Sequence, residues 1–149
     1  MPRIATLGDI DGLLRLMEPF NAGEAIPWHP ERTREALTRL FSTPELGFVV
    51  LTEDLTPNPK PIGYAVVTYN FDLEFGGLDC ILTEIYVSPG FRGRGLAREL
   101  LQHAQASAKA AGAAAMSLAV RPSNTSARQL YTALGFEDTE RIVLSKLLD

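Results

Sequence analysis

The chain has 149 residues, of which 46% are hydrophobic and 21% charged, and its formal net charge at pH 7 is -4. We expect a single folded domain over residues 1–149, because this length can bury a core and this composition is too apolar for disorder. The negative charge gives no support to a nucleic-acid-binding protein, whose domains are usually basic, and no segment reaches the roughly 20 consecutive apolar residues of a membrane span.

In the first half of the chain, apolar residues recur at helical spacing in two segments and at strand spacing in three. The predicted helices cover residues 10–23 and 30–42, and the predicted strands cover residues 3–5, 46–53 and 62–71. Pro27 and Pro30 make the stretch between the two helices irregular. A proline-rich turn over residues 56–61 joins the last two strands as a hairpin, and a connection over residues 72–77 leads to the next strand, so an antiparallel meander is expected.

The next strand, over residues 82–87, is rich in the β-branched and aromatic residues that suit a pleated sheet. Strict alternation of side chains predicts one face that carries Ile81, Thr83, Ile85 and Val87. Glu84 is then expected on the opposite face, together with Leu82 and Tyr86.

From Leu96 onward, apolar residues fall four positions apart, which predicts a long helix that stops at Gly112. The remaining chain predicts a strand over residues 115–120, a helix from Asn124 to Gly135, and a closing hairpin over residues 136–138 and 141–147. A strand, a helix and a second strand in succession favour a right-handed crossover. The strands over residues 82–87 and 115–120 should therefore be parallel neighbours.

The central strand and the long helix are joined by a glycine loop, which consists of Arg92, Gly93, Arg94, Gly95, Leu96 and Ala97. A helix start has unpartnered N–H groups and a partial positive charge, glycines let an anion approach the backbone, and arginines add charge-assisted hydrogen bonds. The glycine loop therefore predicts a phosphate-binding site. It is not a P-loop, because Gly95 is followed by Leu96 instead of Lys. It is not a dinucleotide fingerprint either, because Arg98 stands where a third small residue is needed.

The glycine loop resembles the signature of the GNAT N-acetyltransferase superfamily, which is Gln or Arg, two residues, Gly, one residue, then Gly or Ala. Arg92, Gly95 and Ala97 occupy those positions, and the order of the predicted elements is also that of GNAT domains. The resemblance implies that the loop holds the diphosphate of acetyl-CoA, the acetyl donor. It also implies an α/β (α+β) fold, with a mixed, mostly antiparallel twisted sheet of about six to seven strands flanked by about four helices.

Residues 124–136 resemble a second GNAT signature, in which Asn, Ala, Tyr, Gly and Phe recur at these spacings. The resemblance implies that Tyr131 is the general acid and that Asn124 contacts the pantetheine side of acetyl-CoA. It further implies that the backbone of the central strand binds the pantetheine arm, at Ile85, Tyr86 and Val87.

Transfer to an amine needs a base, because a lysine-like ammonium has a pKa of about 10.4 and no lone pair until it loses a proton. Glu84 is the first candidate, acting directly or through water, because it stands on the strand face opposite Ile85 and Val87. Asp79 is the second candidate. The leaving thiolate can take a proton from the Tyr131 phenol if the site lowers the pKa of that phenol, and no covalent enzyme intermediate is needed.

The resemblance implies an acceptor site between the first two helices and the loop that joins the third and fourth strands. Aromatic and acidic residues in these segments suit a small cationic amine, through ring faces and ion pairing. The candidate substrate-binding residues are Trp28, Tyr69, Phe71, Glu74 and Asp79. A polyamine, an aminoglycoside or an amino-acid-like amine fits this composition, and a lysine or N-terminal amine of a protein stays open as the acceptor.

Two histidines and one cysteine limit the remaining chemistry. His29 and His103 have no partners at metal-ligand spacing, so no metal is expected. Cys80 is the lone cysteine, which excludes an internal disulfide, and the acidic start of the chain argues against a signal peptide, so a cytoplasmic protein is expected. A non-catalytic acyl-CoA-binding sensor or interaction domain and the transfer of a longer acyl group stay open. Homodimers are common in the family, but no stretch of this sequence identifies an interface.

Overall fold

The computed structural model describes residues 1–149 and has five β-strands and four α-helices. The strands are β1 (Arg3–Ile4), β2 (Gly47–Glu53), β3 (Pro61–Asp72), β4 (Gly77–Val87) and β5 (Met116–Leu118). The helices are α1 (Ile10–Gly23), α2 (Pro30–Ser42), α3 (Leu96–Ala110) and α4 (Thr125–Ala133). The predicted α/β class is confirmed, and β4 starts earlier than the sequence pattern indicated. No helix combines the length and the apolar character that crossing a bilayer requires.

All five strands form one sheet in the order β1-β2-β3-β4-β5. The first four strands are antiparallel neighbours, which confirms the predicted meander. β4 and β5 are parallel, and α3 forms the crossover between them, which confirms the predicted strand-helix-strand unit. The short β1 is held at the edge of the sheet by Arg3, which forms ion pairs with Asp9 and Glu53.

Helices cover both faces of the sheet, and each face has its own buried cluster. On the first, which we call the α1 face, Leu13 of α1 and Leu37 of α2 pack with Tyr64 of β3. On the second, the α3 face, Leu100 of α3 packs with Tyr131 of α4 and with the other side of the strands. Burying one such leucine contributes about 1.5–3 kcal/mol, so both clusters stabilise the sheet.

β4 contains a bulge at Thr83. Val66 of β3 lies opposite Glu84, whereas the next residue, Val67, lies opposite Leu82, so Thr83 has no partner of its own in the ladder. The Thr83 hydroxyl instead donates a hydrogen bond to the Val66 carbonyl at 3.3 Å. Such an extra residue locally changes the direction of the strand and the phase of its side chains.

The bulge overturns the predicted strict alternation along residues 81–87. Before the bulge Leu82 belongs to the α3 face, and after it Ile85 and Val87 belong to that face. Glu84 therefore lies on the α1 face, where it contacts Tyr64, and it does not share a face with Leu82 as predicted. The bulge thus decides which side of the sheet receives this carboxylate.

The predicted closing hairpin is wrong, because no strand follows α4, and the sheet has five strands instead of six to seven. A turn at Glu140, whose φ is 60°, interrupts the segment, and β5 has only three residues to offer as an edge. An ion pair of 2.9 Å between Arg141 and Glu74 joins this segment to the turn between β3 and β4. Five large apolar side chains beyond it are 79% to 92% exposed: Ile142, Val143, Leu144, Leu147 and Leu148.

Candidate functional site

β4 and β5 separate after a short paired stretch. They pair over three residues that end with Leu82 opposite Leu118, whereas β4 continues to Val87 with β3 as its only neighbour. The backbone N–H and C=O groups of a strand point alternately at its two neighbours. The Ser88 N–H bonds to the Ile62 carbonyl of β3, so the backbone groups of Tyr86, two positions earlier, also point at β3. The backbone groups of Ile85 and Val87 point to the other side, at a gap beside β5.

The glycine loop leaves the end of β4 at this gap and leads into α3. Gly93 and Gly95 both have a φ of 78°, a left-handed conformation that glycine adopts without steric cost. No side chain caps the start of α3, and a Cβ added at either glycine would meet no atom within 4 Å. The first N–H groups of α3, those of Leu96 and Ala97, therefore have no capping partner and suit an anion.

The two arginines of the glycine loop have different positions. Arg92 folds back on β4, where its Nε donates to the Val87 carbonyl at 2.8 Å and its guanidinium lies 5.4 Å from the centre of the Tyr86 ring. Arg94 lies over the Phe91 ring at 5.2 Å and is exposed. Both arginines are exposed, but Arg92 is tied to the end of β4, whereas Arg94 stays within the loop, where it donates to the Gly90 carbonyl at 3.4 Å.

Tyr131 lies on α4 with its ring in the core of the α3 face. The residue is 9% exposed, and its ring meets the Phe136 ring edge to face at 5.8 Å. The Tyr131 hydroxyl has no hydrogen-bond partner within the protein. Every fully buried side-chain N or O atom of the protein does have such a partner, so the Tyr131 hydroxyl is not fully buried and reaches solvent. Burial and the nearby Glu24 carboxylate raise the pKa of Tyr131. The site thus raises the pKa of Tyr131, which is the opposite of the lowering that would ease proton transfer to a thiolate, and the phenol is protonated at neutral pH.

Glu84 lies immediately after the bulge, where β4 has left β5. Its Oε1 accepts a hydrogen bond of 2.7 Å from the Tyr64 hydroxyl, and it takes part in none of the ion pairs of the protein. Burial raises the pKa of Glu84, and the hydrogen bond from Tyr64 partly opposes this effect. A raised pKa brings a carboxylate closer to the working pH of a general base.

Asp79, the second candidate base, lies on the part of β4 that precedes the bulge. It is 3% exposed, and its Oδ1 accepts a hydrogen bond of 3.1 Å from the Asn70 side chain. Its neighbour Cys80 is still paired with β5. Of the two carboxylates, only Glu84 therefore lies where β4 borders the gap.

Asn124 is the N-cap of α4, because its side-chain oxygen accepts the Ala127 N–H at 3.3 Å. This contact orients α4, which carries Tyr131. The loop before Asn124 is tied across the structure, since Arg121 bonds to the Glu24 side chain at 3.3 Å and to the Glu24 carbonyl at 3.0 Å. The loops that precede α2 and α4 are thus held together close to Tyr131.

The predicted acceptor residues do not form one cluster. Trp28 packs on the α1 face, and Tyr69 packs on the α3 face. Phe71 is 72% exposed, Glu74 is engaged in the ion pair with the C-terminal segment, and Asp79 is buried. The aromatic and acidic composition of these segments therefore does not identify a single pocket.

Sequence analysis did not single out Tyr64 or Arg121. Tyr64 lies two positions from the residue opposite Glu84, a relation that becomes visible only once the register across the bulge is known. Arg121 gives no signal in the sequence, because its partner Glu24 is 97 residues away. The histidines add no metal site, since no group of three or more His, Cys, Asp or Glu side chains could hold an ion.

Three comparisons with known proteins agree with this geometry. The model of the family described as "Acetyltransferase (GNAT) family" matches residues 12–136. Thialysine N-epsilon-acetyltransferase of Bos taurus is 29% identical over 143 residues, which are 93% of this chain and 84% of that protein. Aminoglycoside N(6')-acetyltransferase type 1 of Salmonella typhimurium is 39% identical over 62 residues, or 42% of this chain and 43% of that protein.

A solved structure matches nearly the whole chain. An integron cassette protein from the mobile metagenome of Cole Harbour Salt Marsh superposes with a TM-score of 0.87 at 28% identity, and the match covers 99% of this chain and 90% of that one. The fold of this chain therefore recurs in another protein.

Proposed function

The chain belongs to the GNAT acetyltransferase family, and we propose that it moves the acetyl group of acetyl-CoA to a small cationic amine by direct attack on the thioester. As a member of this family it is an N-acetyltransferase that uses acetyl-CoA as its co-substrate. In the proposal Tyr131 is the general acid and Glu84 the general base. The observation that carries it is the gap beside β4, because the free strand edge, the glycine loop and Glu84 all meet there.

The end of β4 suits the pantetheine arm of acetyl-CoA, and the glycine loop suits its diphosphate. The backbone groups of Ile85 and the N–H of Val87 suit the amide groups of a pantetheine arm, as an added strand would. The Val87 carbonyl already accepts a hydrogen bond from Arg92. The N–H groups at the start of α3 and the exposed Arg94 suit the diphosphate. A backbone N–H at or next to Val87 would polarise the thioester carbonyl, which acetyl-CoA brings as an already activated acyl group. Asn124 would border the pantetheine from the α4 side.

Glu84 would remove a proton from the acceptor ammonium, directly or through one water. The half-buried carboxylate, which takes part in no ion pair, suits this role because its raised pKa makes it a stronger base than an exposed glutamate. Its position just after the bulge, at the gap, supports the assignment over Asp79, which already accepts a hydrogen bond from Asn70.

Tyr131 would give its proton to the leaving sulfur. A thiolate with a pKa of about 8.5 is a weaker base than an exposed phenolate, whose conjugate acid has a pKa of about 10, so the phenol donates only as the sulfur leaves. The raised pKa of Tyr131 keeps the proton on its oxygen at neutral pH, and it also makes this phenol a weaker acid toward the thiolate than an exposed phenol. The solvent contact of its hydroxyl lets the proton be replaced after each turnover.

A small cationic acceptor is supported by charge and by the relatives. The chain has a net charge of -4, and the Glu84 carboxylate at the gap takes part in no ion pair, which favours a cation over an anion. The relatives named above carry thialysine and an aminoglycoside in their names. Both are amines of small molecules, which supports the same class of acceptor here.

The test is the release of CoA thiol from acetyl-CoA across a panel of polyamines, amino acids, aminoglycosides and short peptides. Cys80→Ser protein runs in parallel, so that any signal from the protein's own thiol is removed. The proposal expects release that needs both the protein and one class of small amine. Release with peptides only would replace it with a protein acetyltransferase, and tight binding of acetyl-CoA without release would favour a sensor domain. A faster reaction with a longer acyl-CoA would show that acetyl-CoA is not the preferred acyl donor.

A further inference from the structure

The hydrogen bond between Tyr64 and Glu84 joins two strands at the gap. Tyr64 is on β3 and is fully buried, with 0% of its side chain exposed. Its hydroxyl lies 2.7 Å from Oε1 of Glu84, a normal distance for an O–H donor to a carboxylate. It is the one protein hydrogen bond that the Glu84 carboxylate receives, so it is the contact that determines how this carboxylate is turned.

The ring of Tyr64 cannot swing away from Glu84, because aromatic rings hold it on two sides. Phe20 of α1 meets it edge to face, with ring centres 6.2 Å apart, and Tyr86 of β4 lies at the same distance. Phe20 and Tyr86 also contact each other at 6.4 Å. Three mutually packed rings on α1, β3 and β4 therefore fix the position of the hydroxyl.

Few other charges act on Glu84. On β4, Tyr86 faces the same side, and its ring is covered by the Arg92 guanidinium at 5.4 Å. On β3, Tyr64 is the titratable residue beside it, and α1 contributes the apolar Phe20. The ionisation of Glu84 is therefore governed by burial, which raises its pKa, and by the Tyr64 hydrogen bond, which lowers it.

We propose that Tyr64 is a positioning residue, whose hydroxyl orients the Glu84 carboxylate for removal of the amine proton and keeps it ionised in its half-buried site. The inference rests on the proposed role of Glu84 as the base. The bulge at Thr83 is what makes the arrangement possible, because it turns Glu84 to the α1 face where Tyr64 lies. A donor to the charged form of a carboxylate favours that form, so the hydroxyl offsets part of the cost of burial.

The first variant to test is Tyr64→Phe, which keeps the ring stack and removes only the hydroxyl. Its kcat/KM at neutral pH should fall roughly tenfold, as expected for an impaired general base. The acid limb of the kcat/KM profile should move to higher pH, because Glu84 without its donor is protonated more easily. The affinity for CoA, measured by calorimetry, should stay at the wild-type value.

A double-mutant comparison separates catalysis from packing. Glu84→Gln should lower kcat/KM by about a hundredfold, and adding Tyr64→Phe to it should change the residual rate by less than about twofold, because coupled residues are not additive. If Tyr64→Phe instead lowers the rate by the same factor with Glu84 and with Gln at position 84, Tyr64 is only structural and the inference is refuted.

The same experiments also test the premise that Glu84 is the base, through a different outcome. Wild-type activity in Glu84→Gln would remove Glu84 as the base, and with it the proposed role of Tyr64, whatever Tyr64→Phe does. Should Tyr64→Phe not fold, Glu84→Asp breaks the same contact by withdrawing the carboxylate. The ordinary pKa of Asp is about 0.4 below that of Glu, so without a role for Tyr64 the acid limb of this variant should move to lower pH, and loss of the donor should offset or reverse that move. An unshifted acid limb in folded Tyr64→Phe, or an acid limb that moves to lower pH in Glu84→Asp, would overturn the inference.

Discussion

Gly95 allows a matched test of the glycine loop, because the protein contains a second glycine in almost the same conformation. Gly95, at the start of α3, has φ and ψ of 78° and 10°, and Gly76, at the turn between β3 and β4, has 75° and 15°. A Cβ added at either position meets no atom within 4 Å. Gly95→Ala and Gly76→Ala therefore impose the same backbone strain at two different places.

The two variants should lose the same stability and differ in acetyl-CoA binding. A left-handed conformation costs an L-residue about 1–2 kcal/mol, which in a chain of this length lowers Tm by about 2–8 °C. At Gly95 the methyl group also stands where the diphosphate would approach the start of α3. Loss of one hydrogen bond to a charged group costs about 1.5–3 kcal/mol, or roughly a 10- to 140-fold weaker Kd.

The assay is a thermal melt of each variant, followed by calorimetric titration with CoA. We expect equal decreases in Tm, a weaker Kd for Gly95→Ala and an unchanged Kd for Gly76→Ala. Gly95→Ala with wild-type affinity would refute the assignment of the glycine loop to the diphosphate. An equal loss of affinity in both variants would show that strain, and not position, explains the effect.

Two further predictions concern Tyr131 and Cys80. Tyr131→Phe should lower kcat by roughly 100-fold with CoA affinity unchanged. The loss should grow as pH rises above the ordinary thiol pKa of about 8.5, because water then protonates the leaving sulfur less well; a wild-type rate across the pH range would exclude Tyr131 as the acid. Cys80 is 0% exposed, and burial, with Asp79 beside it, raises the pKa of its thiol to about 11. A thiol reagent at pH 8 should therefore label the denatured chain but not the native one, and rapid native labelling would contradict this burial.

The parts of the fold that sequence predicted well depend on local signals. Apolar periods of two and of about four residues mark the strands and helices, and proline-rich or glycine-rich turns mark the connections, so the meander and the parallel crossover follow from short segments. The glycine loop is predictable for a similar reason. Gly93 and Gly95 have a left-handed conformation that is unfavourable for other residues, so a glycine in the sequence indicates this backbone conformation.

The features that sequence could not predict depend on contacts between distant segments. The bulge at Thr83 is a property of the β3–β4 register, and an alternating pattern continues through it unchanged, so the face of Glu84 and its contact with Tyr64 could not be inferred. The sequence shows an arginine at position 92 but does not show what its guanidinium contacts, so its hydrogen bond to the Val87 carbonyl could not be predicted.

The prediction of a closing hairpin was wrong for a related reason. The apolar pattern of residues 141–147 is that of a strand, but a strand needs a neighbour, and the three-residue β5 offers little edge to pair with. The acceptor residues likewise share a composition without sharing a face of the sheet. The residue types suited both predictions. The hairpin lacked a neighbouring strand to pair with, and the acceptor residues lacked a common face on which to meet.

Acetyl-CoA labelled on its acetyl group gives the most direct test of direct transfer. The labelled donor is mixed with the protein, with and without the amine that supports thiol release, and the protein and the small molecules are separated and counted. Direct transfer predicts that the label moves to the amine in equal amount to the CoA released, and that the protein carries none with or without amine. Label bound to the protein, or CoA released without amine, would contradict direct attack at the gap between β4 and β5.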